Sequence, residues 1–372
     1  MLVTGWHVTR GWLDRMSVSQ WVADRVSTDR VHLDAAACGR VSEAVLAAQA
    51  QFLRAEAVLG GYVAEAAAQD DLDAGRGALG ALVGLGANDV FYSDGGATAF
   101  QVLIDAWPLA TGARVGTTAG EYGGNARLLR DRARRRGWEL VLLPTDDLGR
   151  IVDVPADLDL VTYPQVLSQR GVLQPLLEFD VPLLLDVSQS AGQVPVPTGA
   201  AAYVGTSRKW LCGPRGVGFG CVDPAWHDRL TDPPTMGTAN TPGRIRRFDA
   251  TEPNNAARLG LAQAARTWSP AVLPVGVAAA AAARVLLDGA GGWEVIEPVH
   301  EATAITTLRH PTADPFATRA ALVEQGFVVS AVPISRADDL TQPLLRVSTA
   351  AWVTPGDVEA LAHALESLAS RA

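Results

Sequence analysis

Lysine is almost absent from this chain of 372 residues. Of its 31 lysines and arginines, one is a lysine, Lys209, and the other thirty are arginines. Either residue type supplies solubility and ion pairs, but only lysine can lose its proton when desolvated and attack a carbonyl group. An ordinary surface cation is the alternative that the count alone leaves open. The residues around Lys209 are therefore needed to distinguish a nucleophile from a surface charge.

Cysteine and histidine are also scarce. The three cysteines (Cys38, Cys212 and Cys221) are odd in number and lack metal-binding spacing, and the six histidines are scattered with no pair at ligand spacing. A disulfide framework and a metal site are therefore not expected, and a reducing cytoplasmic location is expected.

The sequence also lacks features typical of nucleic-acid-binding and membrane proteins. A net charge of −9 argues against nucleic acid as a partner, and the arginine-rich run 127–136 is interpreted as a solvated helix end before Gly137. The N-terminus shows no charged-then-apolar signal pattern, and the longest uncharged run, 267–283, is interrupted by Pro270 and Pro274. We therefore expect neither a nucleic-acid nor a membrane partner.

The remaining composition is typical of a folded α/β protein. Hydrophobic residues make up 48% of the chain and charged residues 19%, and the length is sufficient for two lobes. From Val31 to about Gly220, short apolar runs alternate with helical patterns, which predicts a parallel or mixed sheet covered by helices on both faces. After Pro253 two helical stretches precede a smaller α+β lobe, which includes one strand predicted over 327–332.

Polar groups that suit a ligand lie where the buried strands are expected to end. Asp186 directly follows the apolar run 181–185, so its carboxylate is predicted at the carboxyl end of a buried strand. It either caps the next turn or holds a cationic ring nitrogen, and Gln189 could reach the same ligand.

A glycine-containing turn, Gly95 to Thr98, lies between a predicted strand and a predicted helix. Small residues and the free N–H groups of a helix N-terminus suit a phosphate, although a plain strand-to-helix turn explains them equally well. Beside the lysine, Thr206 and Arg208 add a hydroxyl and a guanidinium group. A nucleophilic lysine, a carboxylate for a ring nitrogen and a phosphate cradle are together what pyridoxal 5′-phosphate (PLP) requires.

These residues lie in segments that resemble the class V aminotransferase and cysteine-desulfurase family of fold-type I PLP enzymes. The resemblance extends from about Val31 to the C-terminus, and the matching segments occur in the family's order: 33–39, 93–98, 121–125, 168–171, 185–189, 206–210 with 213–216, and 345–348. It implies an α/β fold with a mostly parallel central sheet in a large domain. The implied division is an N-terminal segment packed on the small domain (1–30), the large PLP-binding domain (31–253), and connecting helices with a small C-terminal α+β domain (254–372).

The resemblance also implies roles around the cofactor. Lys209 would bind PLP covalently, Asp186 would keep the pyridine nitrogen protonated, and Tyr122 would stack on the ring. Gln189 and Gln169 would bond the ring hydroxyl. Four residues would hold the phosphate: Ala97, Thr98, Thr206 and Arg208.

By the same resemblance, Arg346 would bind the α-carboxylate of an amino-acid substrate, and the protein would be a homodimer. A surface cation is the alternative for Arg346, which its place in the apolar strand 344–347 disfavours. Two departures stand out. Tyr122 replaces a histidine found in many relatives, and Glu252 stands where relatives carry a threonine that reaches the neighbouring subunit's phosphate. Whether Thr251 takes over that contact stays open.

The segment expected to carry a catalytic thiol in a cysteine desulfurase contains none. That segment, 326–343, lies between the predicted helix 315–325 and Arg346, and it has no cysteine. A desulfurase is therefore disfavoured, and β-elimination, transamination or epimerisation of an amino acid remains.

Three segments resemble the carbon–sulfur lyases of ergothioneine biosynthesis: 168–171, 207–216 and 347–352. The resemblance implies β-elimination from a cysteine sulfoxide conjugate, with a sulfur product, pyruvate and ammonia released. The alternative is an aminotransferase or epimerase of the same family that acts on another amino acid. A non-catalytic scaffold is disfavoured because the lysine, the aspartate and the carboxylate-binding arginine are all present.

Overall fold

A computed structural model describes residues 16–233 and 245–370 of the chain. The strands in these residues are β1 (Val31–His32), β2 (Val90–Ser93), β3 (Arg114–Thr117), β4 (Glu139–Leu142), β5 (Leu160–Pro164), β6 (Leu183–Asp186), β7 (Ala202–Thr206), β8 (Gly218–Val222), β9 (Glu294–Val295), β10 (Ile305–Arg309), β11 (Phe327–Val328), β12 (Ser330–Val332) and β13 (Leu344–Ser348). The α-helices are α1 (Val18–Ala23), α2 (Glu43–Leu59), α3 (Gly61–Ala67), α4 (Gln69–Ala81), α5 (Gly96–Ala106), α6 (Gly123–Arg136), α7 (Asn255–Thr267), α8 (Val272–Leu287), α9 (Pro315–Glu324) and α10 (Pro355–Ala369).

The largest element is a seven-stranded sheet with the order β2-β8-β7-β6-β5-β3-β4. Strand β8 runs antiparallel to both neighbours, and all the other neighbouring pairs are parallel. Strands β2, β5 and β8 are buried along their whole length, as expected for a sheet covered on both faces. The predicted α/β fold with a mostly parallel central sheet is confirmed.

A smaller four-stranded antiparallel sheet, β12-β13-β10-β9, forms the core of the C-terminal α+β lobe. The prediction of one strand over 327–332 is wrong in detail. Strand β11 pairs with β1, whereas β12 pairs with β13, so the chain changes sheets at the fully buried Val329.

The arginine-rich run ends helix α6 at Gly137, which has a φ of 72° and so adopts the left-handed conformation that favours glycine. Two aspartates neutralise much of its charge. Asp105 pairs with Arg132 and Arg136, while Asp131 pairs with arginines on its own helix. These pairs agree with a solvated helix end.

Helix α8 begins earlier than the two prolines in the uncharged run suggest. It starts at Val272 and includes Pro274 in its first turn, where a missing N–H group costs no helical hydrogen bond. No single helix of the described ranges is long and apolar enough to cross a membrane. The pair α7 and α8 would reach that length and composition only together, across a bend of 87°.

The N-terminal segment is described from residue 16 onward. In α1, Trp21 is buried and stacks on Trp352 of the C-terminal lobe, with ring centroids 5.8 Å apart. This contact agrees with a segment packed on the small domain, although residues 1–15 lie outside the described ranges. The three-part division of the chain stays a prediction.

Candidate active site

A cavity of about 270 Å³ opens at the carboxyl ends of strands β5, β6 and β7. In open α/β sheets this edge is where ligands bind. Most of the predicted site residues line it together: Ala97, Thr98, Tyr122, Asp186, Gln189, Thr206, Arg208 and Lys209. The structure therefore brings the predicted cofactor residues to one place.

Lys209 lies in the turn after β7, and its side chain faces this cavity. Burial lowers the pKa of its amine to about 7, although the nearby Asp186 carboxylate acts in the opposite direction and raises it. Three cationic neighbours lower the pKa further: Arg208, Arg346 and Arg336. A large fraction of the amine is therefore neutral near pH 7, which is the form that attacks a carbonyl.

Asp186 is the last residue of β6 and is 7% exposed. Its Oδ1 accepts a hydrogen bond from the backbone N–H of Ser188 at 2.8 Å, and its Oδ2 accepts one from Asn125 Nδ2 at 3.0 Å. Two fixed donors thus orient the carboxylate at the cavity wall. In this position it can bond a protonated ring nitrogen.

Glu121 is a second, fully buried acid next to this pair. Its Oε1 accepts hydrogen bonds from Tyr122 N at 2.8 Å and from Asn125 Nδ2 at 3.1 Å, while its Oε2 has no partner among the described residues. Burial and the nearby negative charge of Asp186 raise the pKa of Glu121 to about 8. Glu121 is therefore mostly protonated at pH 7.

The predicted phosphate cradle is built from the start of α5 and the turn after β7. Helix α5 begins at Gly96, so the N–H groups of residues 96–98 have no partner within the helix. A side chain on Gly96 would place its first carbon 2.7 Å from Ser188 Oγ, so glycine is needed for this close approach. Thr206 and Arg208 line the same cavity. This donor set suits a phosphate.

Tyr122 immediately precedes α6, and two glycines let neighbouring groups pack against it. A side chain on Gly124 would come within 2.6 Å of the Tyr122 ring, and one on Gly123 within 2.3 Å of the Ser335 carbonyl oxygen. The guanidinium carbon of Arg336 lies over the Tyr122 ring, 5.5 Å from its centroid. The ring is therefore held at the cavity by contacts from both lobes.

The two predicted glutamines already bond protein atoms. Gln189 lines the cavity, but its Nε2 donates to the Ala36 carbonyl at 3.0 Å and its Oε1 accepts from Trp210 Nε1 at 2.9 Å. Gln169 is not among the residues that line the cavity, and its Nε2 donates to both carboxylate oxygens of Asp339 at 3.0 and 3.1 Å. Their bonds to a ring hydroxyl stay a prediction.

Arg346 lies in β13 and is only 3% exposed, so it is not a surface cation. Its Nη1 donates to the Ser168 carbonyl at 2.8 Å, and its Nη2 lies 3.3 Å from Ser330 Oγ and 3.7 Å from Asp34 Oδ1. Burial lowers its pKa to about 10, which leaves it charged at neutral pH. It does not line the cavity, but Ser168 does. Its contact with a substrate carboxylate stays a prediction.

The structure adds three residues that the sequence did not single out: Glu121, Asn125 and Arg336. Glu121 precedes helix α6, whereas Asn125 lies in its first turn, and no signal in the sequence indicated that their side chains would meet. Arg336 gave no signal either. Its position depends on how the loop between β12 and β13 folds over the large sheet.

A larger cavity of about 350 Å³ lies elsewhere, around the loop from Gln174 to Leu183 and next to Trp226. None of the predicted site residues lines it, and Asp180 is its one lining carboxylate within the described part of the chain. The smaller cavity is therefore the candidate active site.

One comparison with a known protein covers almost the whole chain. Over 371 residues the chain is 37% identical to a probable hercynylcysteine sulfoxide lyase of Mycobacterium tuberculosis, and the match covers 93% of this chain and 92% of that protein. No family model matches the chain.

Solved structures with the same fold are much less similar in sequence. The cysteine desulfurase of Thermococcus onnurineus aligns with a TM-score of 0.83 at 16% identity, over 96% of this chain and 99% of that one. The cysteine desulfurase CsdA of Escherichia coli aligns with a TM-score of 0.81 at 17% identity, also over 96% and 99%. The cystine C–S lyase C-DES, in complex with cysteine persulfide, aligns with a TM-score of 0.80 at 16% identity, over 91% and 98%. By its identity to the mycobacterial protein and by this shared fold, the chain belongs to the hercynylcysteine sulfoxide lyase family, within the class V group of fold-type I PLP enzymes.

Proposed function

We propose that this protein is a PLP-dependent carbon–sulfur lyase that cleaves hercynylcysteine sulfoxide by β-elimination. The products would be the sulfur-bearing precursor of ergothioneine, pyruvate and ammonia. The observation that carries the proposal is the placement of the chain's one lysine, with an amine pKa near 7, in a cavity shared with Asp186 and a phosphate cradle. Membership of the family supplies the substrate.

The residues present fit PLP. Lys209 would offer a partly neutral amine to the aldehyde, Asp186 would offer a carboxylate to the ring nitrogen, and the N–H groups of residues 96–98 would hold the phosphate. When bound, PLP supplies an electron sink for the charge left on the substrate Cα after its proton is removed.

Each site residue then has a definable task. Lys209, with its partly neutral amine, would take the proton from the substrate Cα. Asp186, fixed by its two donors, would hold the proton on the ring nitrogen. Arg346 would bind the substrate α-carboxylate and so fix which bond at Cα is aligned for cleavage. The pair of electrons from the broken Cβ–S bond leaves with sulfur.

The proposal is tested with purified holoenzyme and synthetic hercynylcysteine sulfoxide. Pyruvate release, followed through lactate dehydrogenase and NADH oxidation, is expected for the native protein and not for Lys209→Ala. Transfer of the amino group to an added keto acid without pyruvate release would refute the lyase and support the aminotransferase alternative.

We also propose a homodimer that works in the cytoplasm. Helices α2 and α3 present an apolar face in which Val58 is 81% and Tyr62 92% exposed, which is unusual unless another chain covers it. Thr251 and Glu252 are exposed as well, so both are available for contact with a neighbouring subunit. The three cysteines are all free, as suits a reducing compartment. Sedimentation equilibrium tests the assembly, and Tyr62→Arg should shift it toward the monomer.

A further inference from the structure

Arg336 is a cation in the candidate active site that has no partner of opposite charge among the residues that the structure describes. Its side chain lines the cavity together with Asp186 and Lys209. Within residues 16–233 and 245–370, its guanidinium group makes no ion pair and no hydrogen bond, and its contact is the 5.5 Å approach to the Tyr122 ring. Its positive charge acts on other groups of the site, because it helps to lower the pKa values of Lys209 and Arg208. Such a group favours an anion.

Arg336 is carried by a loop that is fastened to the large sheet. In this loop, residues 333–340, the N–H groups of Asp338 and Asp339 both donate to the Ala119 carbonyl, at 3.0 and 3.2 Å. The Asp339 side chain accepts two hydrogen bonds from Gln169, and the Asp338 side chain pairs with Arg130. The loop therefore holds Arg336 in place before a substrate arrives, so little ordering is left to do on binding.

The other anions of the proposed reaction already have cations assigned to them. Arg208 and the start of α5 suit the phosphate, and Arg346 suits the substrate α-carboxylate. In β-elimination the proton of Cα goes to Lys209, a double bond forms between Cα and Cβ, and the Cβ–S electron pair leaves on sulfur. From a sulfoxide the leaving group is a sulfenate, RSO⁻, and its negative charge develops as the bond breaks. Among the described residues that line the cavity, Arg336 is the cation to which no anion has yet been assigned.

We propose that Arg336 donates hydrogen bonds to the sulfinyl oxygen of the substrate and stabilises the sulfenate as it leaves. The inference rests on the proposed lyase function and adds to it the residue that favours cysteine S-oxides over thioethers. A donor aimed at charge that forms only in the transition state raises kcat more than it lowers KM.

The test compares the native holoenzyme with Arg336→Gln and Arg336→Lys. On a cysteine S-oxide that the native enzyme cleaves, Arg336→Gln should lower kcat by about 100- to 1,000-fold, and Arg336→Lys should restore part of the loss. On the matching thioether the loss should be much smaller, so the preference for the S-oxide collapses. Binding of benzenesulfinate, a stable anion that resembles the leaving group, should weaken about tenfold or more in Arg336→Gln when measured by calorimetry.

Arg130→Gln is the matched control, because Arg130 fastens the same loop through Asp338 but does not line the cavity. It should leave the S-oxide preference and benzenesulfinate binding unchanged.

Four outcomes would overturn the proposal. If Arg336→Gln binds PLP more weakly but keeps the S-oxide preference, Arg336 belongs to the phosphate site. An equal loss on S-oxide and thioether would also overturn the proposal. If the native enzyme releases pyruvate from no cysteine S-oxide, both this inference and the lyase function are overturned. If the native enzyme cleaves hercynylcysteine sulfoxide and Arg336→Gln cleaves it at the same rate, this inference alone is overturned.

Discussion

Replacing Glu121 by glutamine is expected to stabilise the cofactor-free protein at alkaline pH. Glu121 is fully buried, and its carboxyl group accepts hydrogen bonds from Tyr122 N and Asn125 Nδ2 through one oxygen. Glutamine has the same shape and keeps that acceptor. Its NH₂ group would take the place of the other oxygen, which has no partner in the described ranges and which carries the proton in the neutral acid. The substitution therefore removes a titration and adds one buried N–H donor, whose cost does not depend on pH.

The size of the effect follows from the pKa of Glu121. Burial first, and the charge of Asp186 second, raise this pKa from 4.5 to about 8. Because the folded state binds the proton more tightly, the stability that it contributes is complete below pH 4.5 and is lost as the pH rises through 8. The full loss is on the order of 5 kcal/mol at about 1.4 kcal/mol per pH unit. Most of it falls between about pH 5 and about pH 9.

Urea unfolding of both proteins in cofactor-free form, from about pH 5 to about pH 9, measures this difference. The difference between the free energies of unfolding of Glu121→Gln and the native protein should rise by several kcal/mol, in favour of the variant, from the acid end to the alkaline end. Glu359→Gln is the matched control, because Glu359 is exposed and should give curves parallel to those of the native protein. If Glu121→Gln also runs parallel to the native protein, Glu121 is ionised in the fold and the reasoning is refuted.

Three further predictions concern the cofactor and substrate groups. The rate at which PLP binds covalently to the cofactor-free protein should rise with pH with a midpoint near 7, and stopped-flow absorbance would contradict the low amine pKa of Lys209 if the midpoint lay near 10. Borohydride reduction of the holoenzyme should fix the cofactor on the peptide that contains Lys209, and mass spectrometry that finds it only on the N-terminal amine would contradict the assignment. Asp186→Ala should keep substrate affinity and lower turnover at saturating substrate. Arg346→Ala should keep the cofactor absorbance and lower kcat/KM by a factor equivalent to about 2–5 kcal/mol. If steady-state kinetics show the two effects exchanged between the variants, both roles are refuted. Arg346→Ala should also lower Tm, because the buried Ser168 carbonyl loses its donor.

The parts of the fold that the sequence predicted well are those that local pattern determines. The apolar strand predicted over 344–347 became β13 (Leu344–Ser348), which is buried along its whole length, so its hydrophobic residues mark the strand almost to the residue. The strand predicted over 327–332 failed for a different reason. Its apolar character is continuous, but its two halves pair with strands that are distant in the sequence, and pairing partners leave no local trace.

The candidate site divides in the same way. Asp186, at the end of a strand, could be predicted because parallel strands gather their carboxyl ends at one edge. Lys209 could be predicted because it is the one lysine of the sequence. The resemblance implied a place for Gln169 in the site, but its amide donates hydrogen bonds to Asp339 of the other lobe. Contacts between lobes depend on tertiary packing, which is also why the position of Arg336 in the site could not be predicted from the sequence.

The scarcity of lysine now has a physical reason within this site. Four cations lie close enough to influence one another there: Arg208, Lys209, Arg336 and Arg346. Burial lowers the pKa of Arg346 only to about 10, so that group stays charged at neutral pH, whereas comparable surroundings bring Lys209 to about 7. Arginine is thus suited to holding anions permanently, and lysine to being neutral when a carbonyl must be attacked. The arginines also help to make the lysine reactive, because their charges disfavour its protonated form. An arginine-rich chain can therefore dispense with lysine everywhere except at the position where the proton must leave.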